Sequence, residues 1–499
     1  MDQSNRSSQG ATGLTRSMGL MGLAATGICS MLGAAINVVP FMIQRNVPGI
    51  GSYVLEAYLF AAVPAIFAAI CYAILASAMP RAGGSYVYAS RSLNPYLGFI
   101  ASFAQWFGLS IAIGVVSYVL ITFLRDIAMA LEWIATAELL ETGFVRVGLA
   151  LSFLWIFVYI NLRGLKLYER TLIPMMFVMF LLGGIVIIAG YSFNHDDFKE
   201  AVLAKESLVI EPVSSPFDFK IFLAAAAVLF SSFIGFDSIA QAGGEAKNPG
   251  RTLPLAIIIA ILSVGLFYFL FTGAVYHAVP WNFIAEKSKV MDVTAPGLLS
   301  YLMPAGWAVA IVGGAAIALI NDLPAMLLAV SRLMFAWAED RIFPKKLAEV
   351  HKTWHTPHYA IIASGIMASL GILGSHFAGD FFLGIDILVT SMLVNFLLMC
   401  LSVVAIQKTN PEIAKGITVM KARSTQFVVG VVGATMLTVF LIIHIIKDLN
   451  ADVTAWYFHS TPIWLIVMGV ASLIYFREMS KLKKSGVDIK KIFNELPPE

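Results

Sequence analysis

Long uncharged stretches separated by short charged loops set the pattern of this chain. Ten stretches free of Asp, Glu, Lys and Arg run 18 residues or more, the first within residues 17–44 and the last within 453–476. About 20 apolar residues rising 1.5 Å each cross a hydrocarbon core roughly 30 Å thick, so each stretch predicts a membrane-spanning helix. Two more, residues 147–162 and 221–236, reach 16, and the second runs on past a single acid, Asp237, to Gly244. The pattern predicts twelve spans and an all-α polytopic membrane protein.

Composition sharpens this. Of 499 residues, 59% are hydrophobic and 13% charged, and the mean hydropathy is +0.83. Soluble domains carry about 25% charged residues, so the solvent here is the lipid bilayer and no nucleic acid is expected as a partner. Cys29, Cys71 and Cys400 all lie in apolar stretches, which points to packing rather than to a metal or disulfide framework. An even number of spans puts both termini on one side. From Arg6 and Arg16 through to Lys490 and Lys491, 24 of the 33 Lys and Arg residues fall on that side. Basic residues collect in the cytoplasm, so both termini are expected there, in a multi-pass protein of the cell (inner or plasma) membrane. The polar amino terminus leads into an apolar run too long for a signal-peptide core, so the first span is expected to stay.

A break within a span is tolerated only where the freed backbone groups face a cavity or a solute. Small and polar residues cluster in mid-span from Gly27 to Asn37, before Pro40, and again from Ser231 to Ser238, before Gly243-Gly244 and Asn248-Pro249. Small residues also let helices pack closely. Breaks in spans one and six, five apart, nevertheless point to two five-helix halves related as an inverted repeat. The expected divisions are a cytoplasmic segment 1–16, a first repeat 17–194, an external loop 195–220, a second repeat 221–407, two further helices in 408–478 and a basic cytoplasmic tail 479–499. Half-helix amides hold anions and freed carbonyls hold cations. A zwitterion fits both, and an α-amino acid is the simplest.

Four blocks, in order, resemble the amino acid, polyamine and organocation (APC) superfamily: the first-span segment with Pro40, Met79-Pro80-Arg81-Ala82-Gly83-Gly84-Ser85-Tyr86, Phe233-Ile234-Gly235-Phe236-Asp237 through Asn248-Pro249, and Ser331-Arg332 with Glu339-Asp340-Arg341-Ile342-Phe343-Pro344. The likeness extends over about residues 17–478. It implies a five-plus-five core with discontinuous helices 1 and 6, two trailing helices, and a permease moving amino acids as a symporter or antiporter.

The resemblance also implies roles. Amides at Gly33, Ala34 and Ala35 would hold the substrate carboxylate, with Ala35 replacing a glycine usual in the family and favouring small substrates. Carbonyls of Phe230, Ser231 and Ile234 would receive the amine. Ser231 stands where relatives often have an aromatic gate, which leaves Phe230 or Phe233 to close the site. Gly108, in the apolar stretch Trp106–Ile113, would line a pocket with little to recognise a charged side chain, so neutral, mostly apolar amino acids are expected. Met179 replaces a lysine that in some relatives stands in for sodium. Asp322 with Asn321 is instead expected to take the coupling cation, H+ or Na+, with Asp237 as a second candidate.

An ionised acid at mid-bilayer costs roughly 2.5–3.5 kcal/mol. Asp237, Asp322 and Asp386 show no obvious Lys or Arg partner in the sequence, and each would alternatively cap a broken helix or line a hydrated vestibule. Glu245, Lys247 and Arg81 are candidates for an ion pair closing the inner end, or are ordinary helix-end charges. His444 reads as a packing residue. No catalytic residue, metal or organic cofactor is expected, because His351, His355 and His358 lack the His-Glu-x-x-His spacing of a metalloprotease. Alternatives within reach of the same pattern are an amine or polyamine exchanger, a channel, and a transporter-like sensor that binds an amino acid without moving it.

Overall fold

A computed structural model describes residues 13–303, 305–378, 381–453 and 455–497, with the backbone alone at 34, 35, 130, 305, 308, 378, 381 and 382. Arg6, part of the charge count, lies outside the described residues. Twelve helices among them are long and apolar enough to cross a membrane: Leu20–Asn46, Gly51–Ala78, Pro95–Met129, Gly143–Leu162, Leu165–Ser192, Phe219–Gln241, Pro249–Ala278, Val309–Glu339, His358–Phe377, Leu383–Thr409, Arg423–Leu449 and Ser460–Lys484. They are numbered here as spans 1 to 12. No strand occurs among the described residues, which contain only the isolated bridges Met18 to Ala246 and Ala82 to Ala242.

Lipid offers no partner to a backbone N–H or C=O, so uncharged runs of this length pair their own groups as helices. Polar residues at the ends set the starts. Asn94 precedes Pro95 and accepts from the amide of Leu97 at 2.9 Å, and Asp218 accepts from the amides of Lys220 and Ile221 at 2.7 and 3.1 Å. Such caps satisfy amides that a helix start leaves unpaired.

The central part of span 1 is enclosed, packed against spans 5, 7 and 8, while Met21 near its start is exposed and span 3 lies along spans 8, 9 and 10. Leu181, Ile188, Leu262 and Leu473 are exposed on the outer spans, where an apolar surface is matched to lipid. All three cysteines are buried and free.

Asp386 has neighbours that the sequence did not suggest, and the expectation of no cationic partner is corrected here. Lys447 Nζ lies 3.8 Å from its carboxylate, and His444 Nε2 contacts its carbonyl oxygen at 3.2 Å. Both come from span 11, so the pairing depends on how spans 10 and 11 pack.

Candidate functional site

Span 1 is two helices. Leu20–Met31 stops, Leu32 and Gly33 depart from helical geometry, and Ala34–Asn46 resumes. No side chain hydrogen-bonds as a cap at Gly33, so the first amides of the second half-helix face the break, where the helix dipole favours negative charge. A β-carbon on Gly33 would overlap Asp322 Oδ2. The carboxyl group of span 8 therefore sits against the bare Cα at the break, and only glycine leaves room for it. Asp322 is 4% exposed, and its Oδ1 has no hydrogen-bond partner. Neighbouring Asn321 donates from Nδ2 to Cys29 Sγ at 2.8 Å, and its own Oδ1 is unpartnered. Tyr268 on span 7 donates to the carbonyl of Met31.

Span 6 is also interrupted. Helix Phe219–Leu229 tightens into a 3₁₀ turn at Phe230–Phe233, the chain extends at Ile234, and a single helical turn returns at Ser238–Gln241. Gly235 adopts φ 137°, a conformation that side chains disfavour, and a β-carbon there would overlap the carbonyl of Ser30. The two breaks thus touch backbone to backbone, and Ser30 Oγ and Ser238 Oγ share a hydrogen bond of 3.0 Å. Gly235→Ala is expected to lower stability by at least ~1–3 kcal/mol from backbone strain alone, read as thermal unfolding of the purified protein. Gly184→Ala, whose β-carbon would meet nothing within 4 Å, should not lower it.

The structure separates the predicted site residues into groups. Gly33, Asn321 and Asp322 come together, with Cys29, at the span 1 break. The side chains of Ala34 and Ala35 lie outside those described. The Ser231 carbonyl already accepts from the Ile234 amide at 3.2 Å, and the buried hydroxyls of Ser231 and Ser232 are unpartnered. Phe233 packs at 5.4 and 5.8 Å from Tyr58 and Tyr268, the latter bonded to the Met31 carbonyl, whereas Phe230 turns toward Phe396 and Phe440 at 6.1 and 6.0 Å. Gly108 has its Cα against Ser391 and Leu388 of span 10, at a helix seam. Met179 lines a cavity of about 20 Å³ with Leu32, Asn37 and Gly314, room for about one water-sized species.

Asp237 is accounted for differently from Asp322. It accepts from Gln105 Nε2 on span 3 and, through Oδ1, from the amide of Gly235 at 3.1 Å. Both bonds hold the carboxyl group as a brace of the span 6 break. Gln241 extends this network to Gln105 at 3.2 Å and to Ser85 at 2.8 Å. Ser85 pairs with Tyr72, which also accepts from Asn395 Nδ2 at 2.7 Å. Sequence reasoning passed over Gln105, Gln241 and Asn395. The available signal was a carboxamide inside an otherwise apolar span.

On the side holding residues 79–92, two buried ion pairs cross between spans. Arg332 reaches Glu245 with both Nη2 and Nε, at 2.6 and 3.0 Å, and both side chains are 1% exposed. Of the candidate partners for Glu245, Arg81 does not make the pair: its Nε donates to the carbonyl of Pro497 at 2.9 Å, and the cation facing Glu245 is Arg332 of span 8. The Glu245 backbone also ties the chain before span 1, through Met18 N–H to Glu245 O and Lys247 N–H to Met18 O, each 2.9 Å. In the second pair, Arg91 Nη2 contacts Asp340 Oδ1 at 2.9 Å, and Tyr86 donates to Asp340 Oδ2 at 2.7 Å.

Two touching helix breaks, enclosed by aromatic rings and sealed on one side by buried ion pairs, suit a solute site within a bilayer. The family model described as amino acid permease matches residues 18–473. The chain belongs to that family. It is an APC-superfamily permease, a membrane transporter of amino acids rather than an enzyme. Among similar proteins, the permease is 26% identical over 490 residues to the branched-chain amino acid permease BcaP of Bacillus subtilis, covering 95% of this chain and 96% of that one. It is 24% identical over 486 residues to the methylthioribose transporter of Bacillus subtilis, covering 94% and 95%. With cationic amino acid transporter 4 of Mus musculus it shares 26% identity over 412 residues, 80% of this chain and 61% of that one.

Proposed function

We propose that this permease is a cation-coupled secondary transporter of small neutral or apolar amino acids, working by alternating access between two five-helix repeats. The observation that carries the reading is Asp322 pressed against Gly33 at the break of span 1, with no Lys or Arg in ion-pair contact among the described residues. A substrate carboxylate bound at the same half-helix terminus would lie beside it. Two negative charges a few ångströms apart in a low-dielectric site repel strongly. Substrate therefore binds well only when Asp322 carries a proton or ligates a sodium ion, and this requirement couples solute to cation without any lysine at position 179. Asn321 adds an unpartnered carbonyl oxygen suited to a sodium ion. Asp237, already bonded to Gln105 and Gly235, serves the scaffold instead. Phe233 is the ring placed to close over the site, since it packs beside Tyr268 and the break.

The substrate class is supported by an apolar surround and by the branched-chain amino acid specificity named for one relative. Another relative is named for methylthioribose and a third for cationic amino acids, so a test must include all three. Both termini are assigned to the cytoplasm of a cell-membrane protein from the distribution of basic residues, which places the Glu245–Arg332 and Arg91–Asp340 pairs at the inner gate.

The test is thermal stabilisation and vesicle uptake by purified protein with leucine, isoleucine, valine, alanine, lysine and methylthioribose, at two pH values, with and without sodium. A ligand stabilises the state it binds. Stabilisation and uptake by the neutral amino acids, enhanced by one cation, is the expected result. Preference for lysine or methylthioribose would overturn the substrate class, and binding without uptake would make the protein a sensor.

A further inference from the structure

The end of the chain is built into the face that the ion pairs seal. After span 12, Gly486 turns with φ 74° and has nothing within 4 Å of where its β-carbon would sit. Residues Ile489–Asn494 then form a short helix, its start capped by Asp488, which accepts from the amide of Lys491 at 3.1 Å. The guanidinium of Arg91, already engaged by Asp340, donates from Nη2 to the carbonyl of Ile492 and from Nε to the carbonyl of Glu495, each at 3.2 Å. Phe493 is 6% exposed and its ring lies 5.1 Å from Arg91 Cζ. Two more bonds fasten the segment: Asn410 Nδ2 to the carbonyl of Asn494 at 3.2 Å and Arg81 Nε to the carbonyl of Pro497 at 2.9 Å.

We propose that residues 489–497 are a strap that holds the inner gate of this permease shut and sets how often it opens. The assignment rests on reading this face as the inner gate. The strap joins parts that must separate when the gate opens: Arg81 and Arg91 between spans 2 and 3, Asp340 at the end of span 8 through Arg91, and Asn410 after span 10. It is detachable. Its hold consists of backbone carbonyls on cationic and amide side chains, the seated ring of Phe493 and the partly buried side chains of Ile489, Ile492 and Leu496 against the core, while Lys490 and Lys491 remain exposed and unused in that hold. Gly486 supplies the pivot. Lifting the strap away leaves the Arg91–Asp340 pair intact but removes two acceptors and a stacked ring from a buried cation, so the closed face loses stability relative to the open one.

Two variants of the full chain test this: removal of residues 488–499, and Phe493→Asp, which keeps the segment but puts a charge into its anchoring pocket. The readout is maleimide labelling of Ser85→Cys, a position buried behind the gate, in purified protein in nanodiscs, over the labelling of the same protein carrying only its native cysteines. Both variants are expected to label about tenfold faster, a shift of ~1.4 kcal/mol, the size of one hydrogen bond to a charged group. If truncation prevents folding, Phe493→Asp carries the test alone. Unchanged labelling in a folded variant overturns the strap. Labelling needs neither substrate nor coupling ion, so failure of the substrate and coupling reading would leave this result standing, and failure of the strap proposal would leave the uptake test of that reading untouched.

Discussion

Asp322→Asn is expected to abolish accumulation of substrate against its gradient while leaving downhill exchange measurable. The carboxyl group lies against Gly33 and has no described cationic partner, so its charge state decides whether a second carboxylate can approach the same helix terminus. An amide of the same shape removes that decision: the site then accepts substrate whether or not a cation is present. In proteoliposomes with an imposed proton or sodium gradient, the native permease should concentrate its amino acid, and the variant should only equilibrate it. Under proton coupling, native binding should tighten as pH falls and the variant's should be flat. Under sodium coupling, the same contrast should follow sodium concentration. Gradient-driven accumulation equal to that of the native protein would remove Asp322 from the coupling site.

The second large effect is expected at the sealed face. Glu245→Gln leaves the Arg332 guanidinium buried at 1% exposure without its counter-charge, and breaking a buried pair from one side costs about 3–5 kcal/mol. Thermal unfolding should drop accordingly. The double variant Glu245→Leu with Arg332→Met replaces both charges by apolar groups and should recover most of the lost stability, because the desolvation of two ions is removed together with their attraction. A Glu245→Gln protein as stable as the native one would mean that water reaches the pair. The two outcomes also separate roles: a gate held by charge should leak in the double variant even where its stability returns.

How much of this was legible in the sequence depends on the range of the interaction concerned. The twelve spans follow from run length alone, since each helix pairs its own backbone and needs no information from elsewhere in the chain. The interruptions near Gly33 and Gly235 were visible for the same local reason, as small and polar residues in the middle of apolar runs. Asp322 was a candidate because the family resemblance sets this part of span 8 at an ion site, and because a lone acid in a span is costly wherever it points. Its position against Gly33, however, joins spans 1 and 8 and is decided by packing. The same limit hid the Arg332 partner of Glu245, the Lys447 and His444 neighbours of Asp386, and the bracing of Asp237 by Gln105. Choosing between Phe230 and Phe233 required knowing which way each ring leaves the 3₁₀ turn, a matter of neighbours on spans 2, 7, 10 and 11. Gly108 was placed beside the substrate through the family resemblance of span 3, and its close approach to Ser391 and Leu388 depends on how spans 3 and 10 pack.

The enclosure of span 1 has a consequence for biogenesis. As the ribosome delivers the chain, the interrupted first helix emerges long before span 8, whose Asp322 lies about 290 residues further on. At typical synthesis rates of about 5–20 residues per second, that interval is roughly 15–60 s. Throughout it, the nascent segment must rest near the insertion machinery with its unwound turn unsheltered, so completion of the bundle, rather than membrane insertion of the first hydrophobic segment, is the step at which quality control would sense a defect.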